Sequence, residues 1–65
     1  MNTEKVFYFP GQLGDAARWR VSVYHETLGQ WDIRSEHLTY ARASDHAQRL
    51  ELRYGPYTPV RVRSI

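Results

Sequence analysis

Trp19-Arg20-Val21-Ser22-Val23-Tyr24-His25, the reversal Glu26-Thr27-Leu28-Gly29 and the return Gln30-Trp31-Asp32-Ile33-Arg34-Ser35 decide the fold. From Arg18 onward apolar and polar residues alternate. Trp19, Val21 and Val23 point one way, and Arg18, Arg20, Ser22 and Tyr24 the other, the period of two that marks a half-buried strand. Gly29 suits the positive φ that a tight reversal requires. On the return strand the same rule puts Trp31 and Ile33 inward and Asp32 and Arg34 outward. Two tryptophans on one inner face make this hairpin the most secure element.

Working outward, residues 36–43 read either as an extension of the strand, through Leu38 and Tyr40, or as the opening of a helix at Tyr40. From about Ser44 the period changes. Ala43, Ala47, Leu50 and Tyr54 fall on one helical stripe, with Ser44 expected as N-cap and Asp45 in the first turn. Arg49 and Arg53 favour the C-terminal end, and Gly55-Pro56 is a stop signal. Toward the N-terminus, residues 4–9 read as a first strand carrying Val6, Phe7, Tyr8 and Phe9, stopped by Pro10-Gly11. A last strand covers residues 58–64, where Val60 and Val62 alternate with Arg61 and Arg63. The expected architecture is α+β, in the order β-β-β-α-β: a small, mainly antiparallel sheet with one helix packed on one face. Trp19, Trp31, Val21, Val23, Leu50 and Val62 are expected to hold it together.

At 65 residues the chain is expected to be one domain, residues 1–65, and its lack of cysteine leaves no disulfide to support a thin core. Apolar and aromatic contents of 42% and 14% argue for a folded chain. The apolar run Val6-Phe7-Tyr8-Phe9 is too short for a secretory or spanning segment. No cysteine is present, so the expected location is the cytoplasm. The net charge of +2 is too small to imply nucleic acid by itself. Its distribution is uneven: residues 1–40 carry four basic and five acidic groups, residues 41–65 five and two. Eight of the nine cations are arginine, a composition that GC-rich codon usage explains and that also supplies bidentate, stackable contacts.

Catalytic and metal chemistry find little support. His25, His37 and His46 have no metal-ligand spacing and are read as surface or rim residues. The serines lack an elbow motif and there is no thiol nucleophile. Asp32 and Glu36 have no evident cleft in which to work as an acid–base pair. Gly11-Gln12-Leu13-Gly14 lacks the ending of a phosphate loop. The expectation is a non-enzymatic protein without cofactor or metal.

The face opposite the helix is more informative. Arg18, Arg20, Tyr24, Arg34, Arg61 and Arg63 are all expected to project from it, relieved mainly by Asp32. Three readings stand. Arginines meet phosphates while Tyr24 stacks a base; the face docks on an acidic protein surface or in a nucleic-acid-binding groove; or the arginines simply solvate an open sheet. The apolar N-terminal strand offers a second contact surface, compatible with a monomer or a homodimer.

The run Trp19-Arg20-Val21-Ser22-Val23-Tyr24-His25 through Gly29-Gln30-Trp31, the helix ending Tyr54-Gly55-Pro56 and the strand Val60-Arg61-Val62-Arg63 together resemble the stand-alone hairpin–helix–strand proteins of phages and mobile elements. Some of these are anti-CRISPR proteins, which bind CRISPR effector complexes and block DNA capture or cleavage. That class shares a function and not a motif, so the resemblance assigns no residue a role. It implies a phage-encoded inhibitor in the host cytoplasm that occludes a host protein or nucleoprotein complex, with no membrane involved. Direct nucleic-acid binding by the same arginine-rich face is the alternative.

Overall fold

The hairpin forms where the alternation places it. In the computed structural model, which describes residues 7–65, strands β1 (Trp19–His25) and β2 (Gln30–His37) pair antiparallel and close on His25 and Gln30. Gly29 sits at φ +66° and donates its N–H to the carbonyls of His25 (2.8 Å) and Glu26 (3.2 Å). An L side chain would be strained at that φ, which is why glycine ends the loop.

Helix α1 (Tyr40–Tyr54) follows directly, and strand β3 (Val60–Ser64) returns antiparallel to the free side of β1, giving the order β2-β1-β3. The helix begins one turn earlier than Ser44. Thr39 is the N-cap, its hydroxyl accepting from the Arg42 N–H at 3.2 Å. Ser44 therefore lies inside the helix, and Asp45 pairs with Arg49 at 3.2 Å on its exposed side. Gly55, at φ +83°, closes the helix by donating to the Glu51 carbonyl. Among the described residues no helix is long and apolar enough to cross a membrane.

Of the predicted first strand, residues 4–6 lie outside the described part. The remainder forms a single antiparallel bridge, Tyr8 to Glu36, on the outer edge of β2. A loop with a 3-10 turn over Gly14–Ala16 then leads into β1. The fold is thus α+β with three antiparallel strands and one helix, in the order β-β-α-β.

The core between helix and sheet is built from small side chains: Val21, Val23, Ala43, Ala47 and Leu50, flanked by Trp19, Val60 and Val62. Ala43 and Ala47 allow the helix to approach the sheet closely. The large aromatics do not fill this core as their number suggests. Trp31, Tyr24, Tyr40 and Tyr54 lie around its margins or on the surface.

One irregularity sets which side chains face where. Val21 pairs with Ser35, but Ser22 pairs with Ile33, so Arg34 is an extra residue in β2. Such a bulge shifts the alternation by one and exchanges the two faces beyond it. Ser35 and His37 therefore share the helix-covered side with Val21 and Trp19. Trp31 and Ile33, opposite Tyr24 and Ser22, lie on the open side. The inward assignment of Trp31 and Ile33 and the outward assignment of Asp32 and Arg34 are both reversed by this one residue.

Candidate functional site: the open face of the sheet

The open face is assembled from all three strands. β1 supplies Arg20, Ser22 and Tyr24; β2 supplies Trp31, Ile33 and Glu36; β3 supplies Arg61 and Arg63. At its centre is Ser22, only 4% exposed although no helix covers this side. The cover comes from the flanking strands. Neighbouring strands are about 5 Å apart, so Arg61 must reach across the central strand to meet Trp31. Its guanidinium carbon stands 3.9 Å from the Trp31 ring centroid. Only a small residue at position 22 leaves room for that bridge. Tyr24 meets Trp31 edge to face at 5.4 Å, so aromatic and guanidinium groups form one continuous patch with Ile33, which is 39% exposed, beside it.

At one end the patch is tied down by Glu36. Its Oε1 accepts the Gly11 N–H at 2.8 Å, and its Oε2 accepts from Arg20 at 3.1 and 3.3 Å. The Gly11 hydrogen bond holds the carboxyl below the usual glutamate range against the opposing effect of burial, with the Arg20 guanidinium acting in the same direction. The backbone N–H of Glu36 donates to the Tyr8 carbonyl at 2.8 Å, so this one residue anchors the loop before β1 both by main chain and by side chain.

The six expected site residues separate. Arg20, Tyr24, Arg61 and Arg63 are on the open face as predicted. Arg18 starts from that side, but its guanidinium folds back onto the carbonyls of Asp15 (2.8 Å) and Ala17 (3.1 Å). Arg34 is not on the face. The bulge turns it to the helix side, where it lies 5.7 Å from the Tyr54 ring centroid and 3.5 Å from Asp32. Asp32 therefore does not relieve the charge of the open face; Glu36 does. Reading the strands as unbroken alternation placed Ser22 on this face correctly but missed Trp31 and Ile33 as members of it. The sequence does carry a signal: Arg34 precedes a second polar residue, Ser35, on a strand expected to alternate.

The helix-covered side holds a second polar group. The Ser35 hydroxyl lies 2.8 Å from His37 Nε2 and 2.6 Å from His46 Nδ1, with Ser35 and His37 almost fully buried. A hydroxyl can donate to one ring nitrogen while accepting from the other, so both contacts are hydrogen bonds when the imidazoles are neutral. Phe7 stacks on His46 at 4.6 Å and covers the group from outside. Burial holds both histidines below the usual imidazole range, each assisted by neighbouring positive charge, His46 for His37 and Arg49 and Arg34 for His46; Asp45 opposes in part for His46. These histidines are not the rim residues expected. Ser35 is fully buried, and among the described residues no three metal-ligating side chains converge. The trio fills space that small aliphatic residues leave open.

This geometry defines a small α+β domain with a sheet covered on one face and an arginine- and tryptophan-bearing surface on the other. No protein-family model matches the chain, and no curated protein or solved structure is similar to it.

Proposed function

We propose that the protein is a non-enzymatic binding module, encoded by a phage, that occludes a host protein or nucleoprotein complex in the bacterial cytoplasm, as anti-CRISPR proteins do. The observation that carries this reading is the open face itself. It sets Trp31 and Ile33 on β2 and Tyr24 on β1 beside Arg20 on β1 and Arg61 and Arg63 on β3. Exposed aromatic and apolar groups next to arginines are the make-up of protein-interface hot spots. Direct single-strand binding relies on aromatic rings free to stack bases. Here the Trp31 ring already carries the Arg61 guanidinium, which a base would have to displace, so the protein-partner reading is favoured.

The test is capture from lysate of a CRISPR-bearing bacterium, with and without nuclease, read by mass spectrometry and repeated with an Arg61→Ala/Arg63→Ala variant. A protein complex retained after nuclease treatment and lost by the variant is the expected result. Loss of every partner on nuclease treatment would instead point to nucleic-acid binding, which also weakens steeply with added salt. Full retention by the double variant would remove the face from consideration.

A further inference from the structure

Arg20, Ser22, Trp31, Ile33, Arg61 and Arg63 border a depression of about 250 Å³ on the open face. Its charges are unbalanced. Arg20 and Arg63 are directly opposite one another on β1 and β3, a like-charge cross-strand pair that works against the sheet. Arg61 adds a third guanidinium. The one carboxylate nearby, Glu36, is already engaged by Gly11 and Arg20. Among the described residues no acidic side chain lies in ion-pair range of Arg61 or Arg63.

Arg61 is the informative member. Its Nε is closed off from solvent and has no hydrogen-bond partner, the only such side-chain atom among the described residues. Desolvation, followed by the charge of Arg63, disfavours its protonated form. With Nε closed off and unmet, the donors that an incoming anion can reach are those on the two terminal nitrogens, and a charge-assisted bond there offsets the unfavourable setting of the group. The guanidinium carbon, 3.9 Å from the Trp31 ring centroid, is held by the ring, and its terminal nitrogens remain for a planar, two-oxygen acceptor. The depression is smaller than the roughly 300–1,000 Å³ of drug-sized sites and is of side-chain scale. The exposed Ile33 and the Trp31 edge beside it suit an apolar neighbour of the anion better than a phosphodiester backbone.

We propose that this depression is a carboxylate pocket, taking an Asp or Glu side chain from an acidic segment of the protein partner while an apolar residue of that segment settles on Ile33 and Trp31. The assignment rests on the binding-face reading and names the chemistry that face recognises.

The probe is a peptide alternating Glu and Leu, titrated into ¹⁵N-labelled protein while the arginine Nε–Hε signals are followed. The expected result is a saturable shift of the Arg61 signal. The same peptide with Gln for Glu should bind roughly tenfold more weakly or worse. An Arg63→Ala variant, its backbone amide spectrum confirming the fold, should weaken the Glu peptide severalfold. Equal binding of the Gln peptide, no shift at Arg61, or unchanged affinity in Arg63→Ala would each overturn the pocket. So would an oligothymidylate that binds more tightly than the Glu peptide and displaces it, which would reassign the site to phosphate. The two readings fail separately. A lysate partner lost by Arg61→Ala/Arg63→Ala, together with an indifferent Glu peptide, sinks the carboxylate assignment alone. A partner still held by that double variant sinks the face.

Discussion

The two halves of β2 behave as if they belonged to different strands. Beyond Arg34, Ser35 and His37 turn toward the helix and are sealed in with His46. Before it, Trp31 and Ile33 turn to the open side, where Trp31 meets Arg61 and Tyr24. Within β2, therefore, the covered side receives polar side chains, while the open side displays a tryptophan and an isoleucine. In a simple two-layer domain the distribution is the reverse, with large apolar groups inside. The proposed binding role rests on this difference between faces, and the following experiments probe it.

Truncating a β-branched side chain on each face is the sharpest contrast. Val21 is 0% exposed at the centre of the core, so Val21→Ala should cost about 2–3 kcal/mol through lost burial and the cavity left behind. A core in a domain this size rarely supplies more than about 3–5 kcal/mol, so about half of the stability or more should be lost. Ile33→Ala, on the open face, should cost less than about 1 kcal/mol yet weaken partner capture. Urea midpoints for the two variants decide it. Equal losses would mean that Ile33 is a structural residue and that the two faces do not differ as argued.

Much of this was legible in the residues. Alternation through Trp19, Val21 and Val23 located β1 and its inward face, Gly29 located the turn, and Gly55-Pro56 the helix end. Arg20, Tyr24, Arg61 and Arg63 were placed on the open face because β1 and β3 are regular. The misreadings trace to β2 and to position 46. Periodicity has no means of registering an inserted residue, because a bulge is fixed by pairing with the neighbouring strand and not by local preference. His46 falls on the Ala43–Ala47–Leu50 stripe, but its burial depends on Ser35 being turned to meet it, and that again depends on the bulge. Thr39 was passed over because residues 36–43 fit either strand or helix, and tertiary context decided between them.

The sealed half of β2 should also be the acid-sensitive one. Both His37 and His46 are held below the usual imidazole range in the folded chain. Below about pH 6.5 the unfolded chain takes up protons there while the folded chain does not, so stability falls as pH falls, levelling off only beneath the folded-state values. At pH 8 both rings are neutral in either state and the full stability is present. Urea midpoints at pH 7.5 and pH 5.5 should therefore differ. His46→Phe, which keeps a ring against Phe7 but removes one titrating group, should narrow the gap. Identical midpoints in the parent would show that the Ser35 trio accommodates protonation, and that the polar character of this core is not what separates the two halves of the strand.

The smallest expected effect on stability comes from Arg61→Lys. Lysine keeps the positive charge and, like arginine, has a stem long enough to cross Ser22. It lacks the planar group that lies over Trp31 at 3.9 Å, and it offers a point charge in place of an in-plane fork. Its ammonium is also more strongly hydrated, so it has less reason to remain against the ring. The urea midpoint should stay close to that of the parent, because charge and strand pairing are unchanged. Capture of the partner should nevertheless weaken, and Trp31 should gain access to an added quencher such as acrylamide as the guanidinium lid is lost. The fluorescence of Trp19, packed beside Tyr40 on the other side of the sheet, should not follow, and a Trp19→Phe background isolates the Trp31 signal. Undiminished capture by Arg61→Lys would mean that the face works by charge alone. A loss comparable to Arg61→Ala would mean that it works through the stacked pair, which the bulge at Arg34 makes possible by turning Trp31 outward.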